Sequence, residues 1–193
     1  KMSAFLGITA EEEAVTSIIR SIKRRGYDGV SNIKIGDHKM KAAFYPFCHS
    51  VFNAMQVIKP MNPMVSILLS EKTPRAILRL KIGEPPYEIS QDPPLIFYTT
   101  NENGEIYDFE HELKDTPASD HNSLRKWTRK IHNLRNRLLF ASTNGIAKIE
   151  KEDVKIFLEH REVRIYNLLV LFLCIDPYKE KQAFVQQALN LFL

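Results

Sequence analysis

Hydrophobic residues recur at intervals of three and four between residues 121 and 141. These positions are filled by Leu124, Trp127, Ile131, Leu134, Leu138 and Ala141. The spacing places the six side chains on one face of an α-helix and cannot arise from a strand, whose side chains alternate. We therefore predict an amphipathic helix over 121–141, capped by Ser119 or Asp120 and ended at Asn144-Gly145.

A second helical pattern lies near the N-terminus. Thr9 and Glu12 have the spacing of a capping box, in which each side chain bonds the backbone N–H of the other residue. Apolar residues follow at Val15, Ile18, Ile19 and Ile22. The pattern predicts a helix that begins near Thr9 and ends at Gly26. The basic triplet 23–25 lies in its last turn, where cations interact favourably with the helix dipole, and this role explains the triplet better than phosphate binding.

From residue 30 to residue 112 the pattern becomes that of strands. Apolar and partly aromatic residues fill 40–47, and residues 49–57 are compatible with a short helix or with another strand. Runs at 65–69 and 76–82 flank a turn at 71–74. In the last of these runs the apolar side chains share one face, and Arg79 and Lys81 lie on the other; the apolar positions are Ala76, Leu78, Leu80 and Ile82. Such alternation is typical of a half-buried antiparallel strand.

Two proline pairs interrupt this region. Pro85-Pro86 and Pro93-Pro94 bracket a predicted loop, because proline is not accepted in a helix interior or a central strand. Further runs at 95–100 and 105–109 surround Asn103-Gly104, which is a strong signal for a hairpin turn. We therefore predict a central, mostly antiparallel sheet of about five or six strands in this region.

Helical patterns return in the last third of the chain. Residues 152–160 and 163–174 predict two helices, and Asp176-Pro177 has the form of a cap followed by proline at the first position of a last helix. The chain ends on Leu191-Phe192-Leu193, which requires cover from the domain's own core or from a second subunit. We predict that this end docks on the core.

Length and composition are compatible with one hydrophobic core. The 193 residues are 44% hydrophobic, which is sufficient for a single domain. The predicted fold class is therefore α+β over 1–193. It consists of an N-terminal helix, a sheet region at 30–112 and a C-terminal lobe of three to four helices at 119–193.

Positive charge is concentrated on the central helix. Residues 121–149 contain seven lysines or arginines and no acid, whereas the formal net charge of the whole chain is only +4. The rest of the chain is therefore slightly acidic, and the whole surplus of positive charge lies on this segment. A concentrated cationic face is typical of proteins that bind phosphate backbones or anionic surfaces.

The charge pattern favours a non-enzymatic nucleic-acid-binding domain as the first hypothesis. RNA or DNA would be contacted through its phosphates, with weak sequence selectivity, because nothing in the chain specifies the reading of bases. The candidate residues on the helix are Arg125, Lys126, Arg129, Lys130 and Arg137, with Arg79 and Lys81 of the predicted sheet as auxiliaries.

An assembly protein is the alternative. Residues 102–120 contain seven acids against Lys114 alone, and this acidic segment directly precedes the basic helix. The two segments would pair within one chain or between neighbouring subunits of a homo-oligomer. Exposed ion pairs contribute only about 0–1 kcal/mol each, so such pairing requires little precision.

Signatures of enzymatic chemistry are weak. Phosphate-binding glycine loops and the common hydrolase and zinc-protease motifs do not occur in the sequence. Glu110-His111-Glu112 contains metal-ligand types, but neighbouring side chains of a strand point to opposite faces, which disfavours a metal site. Glu112-Leu113-Lys114 leaves a Mg²⁺-dependent nuclease as a remote alternative. We predict no catalytic residue, metal site, cofactor or small-molecule ligand.

Two further features concern the cellular compartment. Cys48 and Cys174 are far apart and lack the spacing of a zinc site or a disulfide framework. The longest apolar run, 165–175, is about half of the ~20 residues that span a bilayer, and the N-terminus does not resemble a signal peptide. These features predict an intracellular protein, cytoplasmic or nuclear, without a membrane span.

Overall fold

The computed structural model describes residues 2–54, 64–82, 87–96 and 151–193. It also describes residues 122, 125–126, 128–129, 132–133 and 135–136, which are helical, as predicted, and which we call the basic helix. The other elements are α1 (Met2–Arg24), a 3-10 helix (Val30–Asn32), α2 (His38–Ala54), β1 (Met64–Leu69), β2 (Ala76–Ile82), β3 (Tyr87–Gln91), α3 (Lys151–Ile175) and α4 (Ala183–Phe192).

Helix α1 is longer than predicted. The apolar stripe continues towards the N-terminus through Ala4 and Ile8, which are buried, so the helix begins at Met2. The prediction of a capping box at Thr9 was therefore wrong, because the Thr9 hydroxyl donates to the carbonyl of Phe5 within the helix. The predicted end at Gly26 is confirmed by its positive φ of 71°, which is the left-handed conformation that glycine accepts at a helix C-terminus.

The basic triplet lies at the end of α1, as predicted, and it also has specific polar partners that were not predicted. Lys23 Nζ donates to the backbone carbonyls of Ser31 and Ile33 at 3.2 and 2.7 Å. Arg24 forms an ion pair with Asp176, and Arg25 donates to the carbonyl of Asp176. The triplet therefore joins the end of α1 to the loop after α3.

Helix α2 replaces a predicted strand. The strand predicted over 40–47 was wrong, because this segment belongs to a helix with one buried apolar stripe. The stripe consists of Phe44, Phe47, Cys48 and Val51. The Asp37 carboxylate begins the helix by accepting the backbone N–H of Lys39 at 2.8 Å. Phe44 and Phe47 pack edge-on at a centroid distance of 5.2 Å.

The sheet contains three antiparallel strands in the order β1-β2-β3 within the described part of the chain. The predicted β1–β2 hairpin is confirmed, with Leu69 opposite Ala76, and the apolar face of β2 is buried at Ala76 and Leu78. The expectation of five or six strands was wrong for the described part of the chain, where residues 38–54, which include the predicted strand at 40–47, form α2. The predicted loop between the proline pairs contains β3, whose partner is β2.

Helix α3 is continuous where two helices were predicted, and it packs along α1.

The loop after α3 ends in Gln182, which is fully buried. The Gln182 side chain accepts the backbone N–H of Leu95 at 2.7 Å and donates to the carbonyl of Cys174 at 2.5 Å. The predicted cap at Asp176-Pro177 was wrong, because α4 begins only at Ala183.

Helix α4 completes the core. Phe192 is buried and lies 5.3 and 5.4 Å from the ring centroids of Phe44 and Phe47. The predicted docking of the apolar end on the core is therefore confirmed for Phe192, while Leu193 is half exposed. Among the described residues, no helix has the length and hydrophobicity needed to cross a membrane.

Several predicted features lie outside the described residues. They are the apolar stripe of the central helix and its caps at 119–120 and 144–145, most of the hairpin at 95–109, the acidic segment 102–120 with Glu110-His111-Glu112 and Glu112-Leu113-Lys114, and the candidate cations Lys130 and Arg137.

Candidate functional site

A cleft with a volume of about 550 Å³ lies between α2 and the basic helix. Helix α2 contributes Lys39 and Ala43, one turn apart. The basic helix contributes Arg125, Thr128, Arg129, His132 and Asn133. These five positions follow the spacing i, i+3, i+4, i+7 and i+8, so they form one continuous face of the helix. The two helices therefore form opposite walls of the cleft.

Both walls of the cleft carry positive charge. Lys39 lies on one wall, and Arg125 and Arg129 lie on the other; all three side chains are exposed. The described residues that line the cleft include no acid, and no described residue forms an ion pair with these three cations. Their attraction for an anion is therefore not reduced by a neighbouring carboxylate.

Several other cations of the fold are paired with acids. Arg75 lies 3.0 Å from Asp92, and Lys181 lies 3.0 Å from Asp28. The cleft cations therefore differ from these cations in having no carboxylate partner among the described residues. Polar groups beside them can add hydrogen bonds to a bound anion, since Thr128 provides a hydroxyl and Asn133 an amide.

A network of charged side chains lies next to the cleft and joins its two walls to α1. The Glu12 carboxylate of α1 accepts a hydrogen bond from Arg135 Nε at 2.8 Å. Both oxygens of Glu12 also lie 3.0 Å from His38 Nδ1, and His38 is the residue before Lys39. Arg135 Nη2 lies 3.4 Å from His38 Nε2. One carboxylate thus contacts α2 and the basic helix together.

A buried ion pair lies beneath this network. Glu11 of α1 pairs with Arg161 of α3, and Arg164 Nη1 lies 3.9 Å from the second oxygen of Glu11. Burial raises the pKa of the Glu11 carboxyl, and the two guanidinium groups oppose that shift. The Arg164 guanidinium also lies 4.8 Å from the ring centroid of Tyr45 in α2, within the range of a cation–π interaction.

His132 lies at the junction of the cleft and this network. It lines the cleft and also a small cavity of about 20 Å³, beside Glu12, Arg135 and Arg161. Its Nε2 lies 3.1 Å from Asn136 Nδ2. The small cavity has room for about one water molecule, so of these two spaces the cleft is the one large enough for an organic ligand.

The five predicted site residues that the structure describes separate into three groups. Arg125 and Arg129 line the cleft, whereas Lys126 is exposed on the same helix but does not line it. Arg79 and Lys81 share Glu88 of β3, at 2.7 and 3.7 Å, and so have a partner within the sheet.

Two important residues were not found by sequence reasoning. Lys39 was missed because its neighbourhood was predicted to be a strand, whereas a helix places it opposite the basic helix. Glu12 was assigned to a cap, although its interactions are with His38 and Arg135.

The described residues contain no group of three potential metal ligands. Comparison of the chain with protein-family models, with curated proteins and with solved structures found no match. The functional assignment therefore depends on the geometry and charge of the cleft.

Proposed function

We propose that the protein binds nucleic acid, and that the cleft between α2 and the basic helix holds its phosphate backbone. The observation that carries this proposal is the convergence of Lys39, Arg125 and Arg129 on one cleft without a carboxylate partner among the described residues. Arginine and lysine are the usual phosphate-binding side chains, and arginine can bind two phosphate oxygens at once.

The arrangement along the basic helix supports a polymer as the ligand. Arg125 and Arg129 are one helical turn apart on the same face, which places their Cβ atoms about 5–6 Å apart. A polyanion that presents one charge after another can contact both residues and Lys39 together. Each contact releases a condensed counterion, so binding is expected to weaken steeply with salt.

The charge distribution of the whole chain agrees with this arrangement. All of the surplus positive charge lies within 121–149, the segment that contributes one wall of the cleft. An approaching polyanion is therefore attracted to this face rather than to the remainder of the protein. The proposed activity is binding, and no residue is assigned a catalytic role.

Fluorescence anisotropy with labelled RNA and DNA, titrated from about 50 mM to 200 mM salt, tests this function. The Arg125→Gln/Arg129→Gln variant and Lys39→Gln should bind more weakly. Their slopes of log K against log salt should be smaller by about 0.7–0.9 for each phosphate contact that is lost. Lys126→Gln is the charge-matched control for Lys39→Gln, because each variant removes one charge and Lys126 lies on the basic helix outside the cleft.

Two results would contradict the proposal. One is an absence of binding even at low salt, and the other is equal loss of affinity in Lys126→Gln and the cleft variants. The assembly alternative, in which segment 102–120 of one subunit contacts the basic helix of another, predicts instead a mass that rises with protein concentration in light scattering.

A further inference from the structure

The cations of the cleft face a concave space, not a protruding ridge. Lys39 projects from the α2 side, and Arg125 and Arg129 line the opposite wall. From this geometry, and on the basis of the proposed function, we infer that the ligand is an unpaired single strand of nucleic acid whose backbone lies between the two helices.

A duplex does not fit this arrangement. The major groove of B-form DNA is about 12 Å wide and admits one helix, which is itself about 10–12 Å across. The cationic face of the basic helix is flanked by α2, so α2 would have to enter the groove together with it. The major groove of an RNA duplex is narrower still. Insertion of the basic helix into a duplex groove is therefore opposed by α2, and a duplex would reach the cleft cations through its outer phosphates alone.

The dimensions and lining of the cleft suit an unpaired nucleotide. Its volume of about 550 Å³ falls within the range of about 300–1,000 Å³ that is typical of sites for small organic molecules. The planar guanidinium groups of Arg125 and Arg129 and the ring of His132 are surfaces on which bases stack. Thr128 and Asn133 supply neutral hydrogen-bonding groups for a sugar or a base edge.

Contacts of one carboxylate connect the two walls of the cleft. Glu12 contacts His38, the neighbour of Lys39 in α2, and it also contacts Arg135 of the basic helix. Widening of the cleft to accept a duplex would break at least one of these contacts. The network thus disfavours the conformation that a duplex would require.

The experiment compares one labelled oligonucleotide as a single strand and after annealing to its complement, with RNA and with DNA. The single strand should bind about ten-fold more tightly than the duplex, the difference expected from one stacked base. Thr128→Leu adds bulk to the cleft without a change of charge and without an aromatic ring on which a base could stack, and it should reduce binding of the single strand while binding of the duplex stays unchanged. Circular dichroism verifies that the variant is folded.

The outcomes separate this inference from the proposed function. Equal or tighter binding of the duplex, with both forms weakened by Arg125→Gln/Arg129→Gln, would overturn the single-strand inference and leave the proposed function intact. Full affinity of a folded Thr128→Leu variant for the single strand would also overturn it. An absence of binding to either form would overturn both.

Discussion

Arg135 of the basic helix donates a hydrogen bond from Nε to Glu12 Oε1 of α1 at 2.8 Å. The two side chains are only 15% and 19% exposed, and His38 of α2 contacts the same carboxylate. A charge-assisted hydrogen bond that is partly shielded from water is stronger than an exposed ion pair. Glu12 therefore positions both walls of the cleft without lining the cleft itself.

Glu12→Gln should weaken nucleic-acid binding although it makes the protein more positive. Electrostatic attraction alone predicts tighter binding after loss of an acid, whereas loss of the positioning contacts predicts weaker binding. We expect weaker binding, measured by anisotropy, together with a decrease of about 1–3 kcal/mol in the free energy of unfolding measured in urea.

The control for this prediction is Glu13→Gln. Glu13 is an exposed residue on the same helix, and its substitution changes the net charge by the same amount. The affinity of Glu13→Gln for nucleic acid should equal or slightly exceed that of the wild type. If Glu12→Gln binds nucleic acid as tightly as Glu13→Gln does, Glu12 does not position the walls of the cleft.

Arg161→Met should destabilise the protein strongly at neutral pH. Glu11 and Arg161 are both buried, and removal of one partner leaves a buried charge without its closest compensation. The free energy of unfolding should decrease by about 3–5 kcal/mol in urea denaturation at pH 7. The double variant Glu11→Met/Arg161→Met should recover most of this loss, because apolar residues of similar size can replace a buried pair.

The loss of unfolding free energy caused by Arg161→Met should also become smaller as the pH falls. Arg161 lowers the pKa of Glu11, so its removal raises the folded-state pKa further above the ordinary value of 4.5. A carboxyl with a raised folded-state pKa stabilises the fold below that ordinary value, and this contribution is lost as the pH rises through the folded-state pKa. Urea denaturation of both proteins at several pH values measures the effect. A loss of unfolding free energy that stays constant or grows towards low pH would refute this explanation.

Gly29→Ala should lower stability, whereas Gly36→Ala should not. Gly29 has a φ of 78°, and an added Cβ would lie 3.0 Å from Leu193 Cδ1. The left-handed conformation alone costs a non-glycine residue about 1–2 kcal/mol. At Gly36 an added Cβ meets no atom of the described residues within 4 Å. Thermal denaturation of the two variants compares them directly, and equal melting temperatures would contradict the prediction.

Cys48 and Cys174 should be unreactive in the folded protein. Both thiols are buried, and burial raises the pKa of Cys174 to about 12 and also raises the pKa of Cys48. Because the thiolate is the reactive form, titration with Ellman's reagent should detect almost no thiol in native buffer and both thiols in guanidinium chloride. Rapid reaction of either cysteine under native conditions would show that the core opens readily.

Local periodicity was sufficient to predict several parts of the fold. The intervals between Val15, Ile18, Ile19 and Ile22 identify the buried face of α1, since only a helix places these residues together. The alternation in β2 identifies its buried face in the same way, and the turn before it specifies the pairing with β1. The concentration of charge in 121–149 is also a property of the sequence alone.

The extent of the sheet could not be predicted locally. The apolar and aromatic run at 40–47 is compatible with a buried strand and with a buried helix, because its short length does not separate the two periods. In the helical arrangement Phe44 and Phe47 both pack against Phe192. Because Phe192 lies almost 150 residues later in the chain, the local pattern at 40–47 does not reveal this contact.

The candidate site likewise depends on contacts between distant segments. The sequence identifies Arg125 and Arg129 as cations on a helix, but it does not indicate that Lys39 forms the opposite wall or that Glu12 contacts Arg135. Spacing along the chain determines which residues share a face of one helix or strand. Tertiary structure decides which faces meet, because that choice depends on the burial and packing of the whole core at once.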